Sequence, residues 1–145
     1  LYAELAEARK GETAKLDALL AELKGGDVRR GQVVFNGAKA NCIACHKVGY
    51  VGGTAGPDLT RIGSVRADRD LLESVLLPSA SFVRSYEPYR VVTTDDRTLN
   101  GVLTKDAPDE VVIVVAADKE ERVPRENIES ISPSTVSLMP AGLDQ

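Results

Sequence analysis

The five residues Cys42-Ile-Ala-Cys45-His46 decide how the rest of the chain is read. Two thiols three positions apart lie on one side of a helical turn, and an imidazole follows at the next position. This is the pattern through which a c-type haem is joined to protein. Each thiol adds to one haem vinyl group to form a thioether. The next side chain rises beneath the ring, so that its imidazole reaches the iron. Cys42 and Cys45 are therefore the expected anchors of one covalent haem, and His46 its proximal ligand.

Three rival readings of the motif fit the residues less well. A zinc site needs four ligands and usually a second Cys or His pair, yet the chain has only two cysteines and one histidine. A thioredoxin-like dithiol requires a βαβ setting, which the sequence before Cys42 does not offer. A disulfide at this spacing would be strained and would leave the adjacent histidine unexplained.

The sixth iron ligand is a separate question, because five-coordinate haem binds gases or peroxide whereas six-coordinate haem mainly passes electrons. Met139 is the sole methionine and no second histidine exists. A lone Met is more often a filler of core gaps, but Met139 precedes Pro140 near the end of the chain, where an axial methionine is expected. Gly56-Pro57 lies ten residues past His46. Pro57 shapes a turn, and a backbone carbonyl there, accepting the imidazole Nδ1 proton, would fix the ring and raise its basicity. Arg61 and Arg66 are candidates to pair with haem propionates, against the plainer reading of surface arginines.

Composition agrees with this without demanding it. A chain of 145 residues suits one domain, and its aromatic content is only 4% with no Trp. Burying a large flat cofactor at about 25 cal/mol per Å² would replace part of what aromatic side chains usually supply. The net charge of −4 argues against non-specific nucleic-acid binding. From Arg29 to Arg69, however, seven basic and two acidic residues give a local +5. That segment is either a solvated surface or a docking patch. No run of 18 apolar residues is present, so no membrane span is expected. The chain begins at Leu1 inside an Ala/Leu/Glu/Lys-rich pattern, which reads as a piece of a longer protein with any targeting signal upstream.

Apolar residues at Leu5, Ala8, Leu16, Leu19, Leu20 and Leu23 predict a helix over Tyr2 to Lys24, interrupted at Gly11 and stopped by Gly25-Gly26. Asp27 caps a second helix toward Asn36. Tyr50 to Gly56 reads as loop, and Asp68 to Leu77 as a helix closed by Pro78. After Ser79 β-branched residues dominate. Tyr89–Thr94, Thr98–Thr104 and Glu110–Ala116 predict a small antiparallel sheet of three to five strands, with Val111–Val115 covered on both faces.

The combination of Cys42-x-x-Cys45-His46, Gly56-Pro57-Asp58-Leu59-Thr60-x-Ile62-Gly63, Leu71-Leu72-Glu73-Ser74-Val75-Leu76-x-Pro78-Ser79, Tyr86-Glu87 and Ser134-x-x-Ser137-Leu138-Met139-Pro140-x-Gly142-Leu143 resembles the cytochrome c-like haem-binding domain of planctomycete and verrucomicrobial secreted proteins. The resemblance covers about residues 27–143. It implies an α+β chain: a mainly helical cytochrome c-like fold with a small antiparallel β insertion, at about 84–132, between the proximal His and axial Met segments. It also implies that Cys42 and Cys45 are thioether anchors, His46 the proximal ligand and Met139 the distal one. Residues 1–26 would be the tail of an upstream region or the first helix, and residues 27–145 the haem domain. Two departures stand out. Asp96-Arg97 replaces the Asp-Gly usual at the first hairpin turn, which leaves the turn type open. The family also continues past Met-Pro-x-Gly-Leu into a further helix, whereas this sequence stops at Gln145.

The expected function is single-electron transfer through haem c, with no substrate site of its own, to or from a redox partner protein or a fused dehydrogenase domain. The expected location is periplasmic or otherwise outside the cytoplasm. Two rival functions are a gas- or peroxide-binding haem, if Met139 does not ligate, and a partner-binding sheet for which haem is a staple.

Overall fold

The computed structural model describes residues 2–23 and 25–143, with the side chains of the first helix described from Lys10 onward. Leu1, Lys24, Asp144 and Gln145, and the side chains of Leu5 and Ala8, lie outside the described residues.

Among the described residues four α-helices form: α1 (Tyr2–Glu22), α2 (Val28–Asn36), α3 (Cys42–Cys45) and α4 (Asp68–Leu76). α1 runs through Gly11 without interruption. A glycine inside a helix costs only about 1 kcal/mol relative to alanine, and tertiary contacts offset that. α1 packs on α4, with Leu16 buried and Asp17 paired with Arg69. At the start of α2, the Asp27 carboxylate accepts the Arg30 N–H at 2.8 Å. Such a cap contributes about 1 kcal/mol.

Strands dominate the second half. A short hairpin, β1 (Lys47–Val48) with β2 (Val51–Gly52), follows α3. Then come β3 (Pro88–Thr93), β4 (Thr98–Asp106), β5 (Glu110–Ala116), β6 (Lys119–Pro124) and β7 (Ile128–Pro133), in one antiparallel sheet of order β6-β5-β4-β3-β7. The open question at the first hairpin is answered by Asp96, which takes φ +62 in the left-handed region. Aspartate tolerates that conformation better than most residues. The turn closes through Thr93 N–H to the Arg97 carbonyl and Asp96 N–H to the Thr93 carbonyl.

The sheet is folded over on itself, and its hydrogen bonds say why. The link between β6 and β7 is a single 3-10 turn, Arg125–Asn127. Arg125 N–H donates to the Asp109 carbonyl in the β4–β5 turn, while the Asn127 carbonyl accepts the Thr94 N–H in the β3–β4 turn. Those two turns sit at opposite ends of β4, which would be about 26 Å long if straight. Two residue steps reach at most about 7 Å. β4 must therefore bend, and its pairing with β5 shifts register between Leu103 and Lys105. The result is a small half-open barrel. Its first layer is β7, β3 and the start of β4, and its second is the end of β4, β5 and β6.

The barrel holds most of the protein's apolar core. Val91, Val111 and Ile113 are fully buried at its centre, packed by Leu99, Leu103, Val115, Ile128 and Ile131. Val102 and Val112 are also buried on other positions of the same strands. β5 is thus covered on both faces at Val111, Val112 and Ile113, the outcome its unbroken β-branched run predicts.

The expectation of a mainly helical, cytochrome c-like fold with a small inserted sheet is overturned. The α+β class stands, but the five-stranded sheet is the main structural body, and among the four helices α3 is a single turn. The reason lies in where apolar area can be hidden. The barrel segment buries Val91, Val102, Val111, Val112, Ile113 and Val123, whereas the described helical segments bury only Leu16 and Leu76. What the sequence suggested was an appendage is the part that folds around its own core.

No helix among the described residues is long and apolar enough to cross a membrane.

Candidate haem-attachment site

α3 is one turn long because its neighbours end it on both sides. Asn41, at φ 46, introduces the turn, and His46 leaves it in extended conformation while its N–H still donates to the Cys42 carbonyl at 2.9 Å. The two cysteines are therefore one helical turn apart, half-buried and unbridged. Burial, followed by the nearby Cys42 sulfur, pushes the Cys45 thiol above its ordinary value. Helix α2 precedes this turn and a short antiparallel hairpin follows it, so the βαβ setting of a thioredoxin-like dithiol is absent here.

The loop after β2 wraps back over this turn through main-chain bonds. Gly53 N–H donates to the Ile43 carbonyl at 2.9 Å, Gly56 N–H to the Cys45 carbonyl at 2.8 Å, and Leu59 N–H to the Lys47 carbonyl at 2.8 Å. Approach this close excludes side chains at two positions. A Cβ on Gly53 would lie 1.9 Å from the Ala44 carbonyl oxygen, and one on Gly56 would lie 2.6 to 3.1 Å from three atoms of the His46 ring. Gly56 is buried beneath that ring.

The imidazole is oriented from the same loop. His46 Nδ1 lies 2.9 Å from the Pro57 carbonyl oxygen. A carbonyl only accepts, so Nδ1 must carry the proton. In the neutral ring this leaves Nε2 with a free lone pair. One backbone oxygen therefore selects the tautomer in which the outer nitrogen is a metal donor. Farther along, the Thr60 hydroxyl accepts the Gly49 N–H at 2.8 Å and donates to Asp58, tying the hairpin tip to the loop. The Thr60 hydroxyl and amide hold the Asp58 carboxyl below its ordinary value.

The stretch of chain that contains this unit leaves its apolar side chains open. From Val28 to Val75 no hydrophobic side chain is buried, while Val33, Val34, Val48, Val51 and Val65 are all exposed. α2 has no buried residue at all. An ordered stretch of this length without an apolar core of its own lacks the usual compensation for chain entropy. A large apolar body covering these valines would supply it. Thr54 and Ala55 of the wrapping loop, with Ser85 and Tyr86, also border a cleft of about 280 Å³ against Val102 and Val114 of the barrel. The barrel thus stands directly behind the loop that orients His46.

The structure brings Cys42, Cys45, His46 and Pro57 together. It places Arg61 just before the 3-10 turn Ile62–Ser64, exposed, with its carbonyl accepting the Ser64 hydroxyl and N–H. Arg66 is exposed beyond that turn. Met139 is half-buried on the segment after β7, which is fastened to Ser79 at the end of α4 rather than to the Cys42–Pro57 unit. Gly53 is not singled out by the sequence, and Ser79 and Ser137 enter only as matched residues of the resembling motifs, with no role for either. Gly53 had a signal, since paired glycines next to a crowded helical turn mark close backbone approach. Nothing in the sequence pairs Ser79 with Ser137, which lie 58 positions apart.

No protein-family model matches this chain, and no curated protein matches it.

Proposed function

We propose that this chain carries one haem covalently on Cys42 and Cys45, with His46 as the proximal ligand, and that it passes single electrons outside the cytoplasm. The observation that carries the reading is the His46 ring. Its Nδ1 proton is held by the Pro57 carbonyl, its face rests on a glycine, and its Nε2 lone pair is free one residue after two unbridged thiols.

The residues fit the group. The thiols are half-buried and unbridged, as thioether formation needs. The valines of α2, the β1–β2 hairpin and Val65 are left exposed by the protein itself, apolar area that a flat ring could cover. Bound there, haem supplies a one-electron iron couple, whose potential a thioether ligand raises relative to a second imidazole. The protein's own contributions are orientation and insulation. Pro57 fixes the imidazole tautomer, Gly56 makes room for it, and Met139 is the proposed distal ligand. Arg61 and Arg66 offer charge to carboxylate substituents of the ring.

We read the chain as an electron carrier rather than an enzyme, serving a redox partner protein or a fused dehydrogenase domain. Thioether formation needs reduced thiols, delivered haem and export-side assembly, which is why the proposed location is periplasmic or otherwise extracytoplasmic. Intact-mass measurement under denaturing conditions tests the reading. The expected result is polypeptide plus one haem, reduced to bare polypeptide in a Cys42→Ala, Cys45→Ala double variant. Haem that denaturant strips from the wild-type chain, or zinc in its place, would overturn it.

A further inference from the structure

Among the described residues after β7 there is no regular secondary structure, yet four amides there find an oxygen. Ser134 N–H donates to the Pro88 carbonyl at 2.8 Å, and Val136 N–H to the Ser134 hydroxyl at 3.2 Å. Ser137 N–H donates to the Ser79 hydroxyl at 3.0 Å, and Met139 N–H to the Ser137 hydroxyl at 3.1 Å. Three of these four acceptors are serine hydroxyls. Of those three serines only Ser79 lies far away in the chain, just beyond α4.

Ser79 is a firm post. It follows buried Leu76 and buried Pro78, and the turn around it is closed by Ala80 N–H to the Leu77 carbonyl at 2.9 Å. The segment it holds is not firm by composition. Pro133, Ser134, Ser137, Pro140 and Gly142 favour turns and loops over any regular element.

We propose that Ser79 and Ser137 are positioning residues for Met139: the Ser79 hydroxyl fastens the returning chain at Ser137, and the Ser137 hydroxyl fixes the backbone of Met139 two residues later. This rests on the reading of Met139 as the distal ligand of a covalent haem. A neutral thioether competes poorly with imidazole for iron, so its occupancy depends on how much of its ordering entropy the fold has already removed. The Ser79 to Ser137 to Met139 chain removes it by a bond between groups 58 positions apart. The barrel between them can then vary without moving the ligand, because the ligand is registered on α4 and not on the barrel alone.

The test uses the ferric holoprotein, with imidazole as a competing ligand. The readouts are the imidazole dissociation constant and the far-red charge-transfer band of a thioether on ferric iron. Ser79→Ala should tighten imidazole binding about fivefold, the factor carried by one ordinary hydrogen bond, and weaken the band. Ser79→Thr keeps the oxygen and should restore both. Ser74→Ala, which removes a hydroxyl bonded to the Asp70 carbonyl on the same helix, should change neither. Ser137→Ala should act in the direction of Ser79→Ala, with the double variant no worse than the stronger single one.

If Met139→Ala abolishes the band but Ser79→Ala matches wild type in both readouts, the inference is overturned and the ligand reading stands. If Ser79→Ala has its effect but Ser79→Thr does not restore it, the hydroxyl is not the agent and the inference is overturned. If Met139→Ala leaves the band intact, the ligand reading fails and takes the inference with it.

Discussion

The Nδ1–H of His46 is held by the main-chain carbonyl of Pro57 at 2.9 Å, across eleven residues of chain. The acceptor is a backbone atom, so the orientation of the imidazole depends on the path of the loop and not on the identity of the side chain at position 57. The path in turn depends on the absence of a side chain at position 56.

Gly56→Ala and Pro57→Ala should therefore behave very differently. The added methyl at position 56 would meet three His46 ring atoms at 2.6 to 3.1 Å, and neither the ring nor the loop is free to yield. Overpacking of this kind costs about 1–3 kcal/mol. Thermal unfolding of the holoprotein should show that loss, with a shifted haem potential. Pro57→Ala keeps the carbonyl and should leave the potential near that of wild type. Equal effects from the two variants would remove the steric account.

The barrel should carry most of the resistance to denaturant. Ile113 is fully buried at its centre against Val91 and Val111, and Ile113→Ala should destabilise the protein by about 2–5 kcal/mol in urea unfolding followed by circular dichroism. Leu72→Ala, at a half-buried position on α4, should cost clearly less. A reversed order would show that the helical half has a core the burial pattern does not reveal.

Acid should loosen the β3–β4 turn. The buried Thr93 hydroxyl, followed by the Arg97 guanidinium, holds the exposed Asp95 carboxyl below its ordinary value. A lowered pKa in the folded state means that ionisation favours folding. The contribution is complete above the unfolded value near pH 3.9 and is lost as pH falls through the lower folded value. Asp95→Asn should flatten the fall of the urea midpoint below about pH 4. An unchanged acid slope in that variant would assign the acid sensitivity elsewhere.

Charge should affect encounter modestly. The segment from Arg29 to Arg69 has a net +5, but Asp17 pairs with Arg69 and Asp58 lies 3.9 Å from Lys47. Reduction of an anionic oxidant such as ferricyanide should slow as salt is raised from about 0.01 M, where the Debye length is near 30 Å, to about 1 M, where it is near 3 Å. Arg61→Glu and Arg66→Glu should each reduce that dependence. Stopped-flow rates independent of ionic strength would remove the docking-patch idea and leave the haem proposal untouched.

Local chemistry was legible in the sequence where neighbours in the chain decide it. Asp27 predicts the cap of α2, Pro78 the end of α4, and the β-branched run from Val111 a strand covered on both faces, because each outcome depends on interactions within a few residues. The helix break expected at Gly11 failed for the complementary reason. The cost of one glycine is small beside the packing of Leu16 and the Asp17–Arg69 pair, which come from α4.

By itself, then, the sequence determined the candidate attachment motif at Cys42, Cys45 and His46 and the presence of helices followed by strands. The tertiary structure alone decided which part is the main body. Pattern reading cannot weigh one half against the other, since burial depends on which surfaces meet, and the bend of β4 is what brings Val91, Val111 and Ile113 together. The bond from His46 Nδ1 to the Pro57 carbonyl is one the sequence leads one to expect, from Gly56-Pro57 ten residues past the motif, and the fold forms it. That Ser79 meets Ser137 only the fold decided, because a hydrogen bond between groups 58 positions apart is set by the path of the chain through space and carries no periodicity along it.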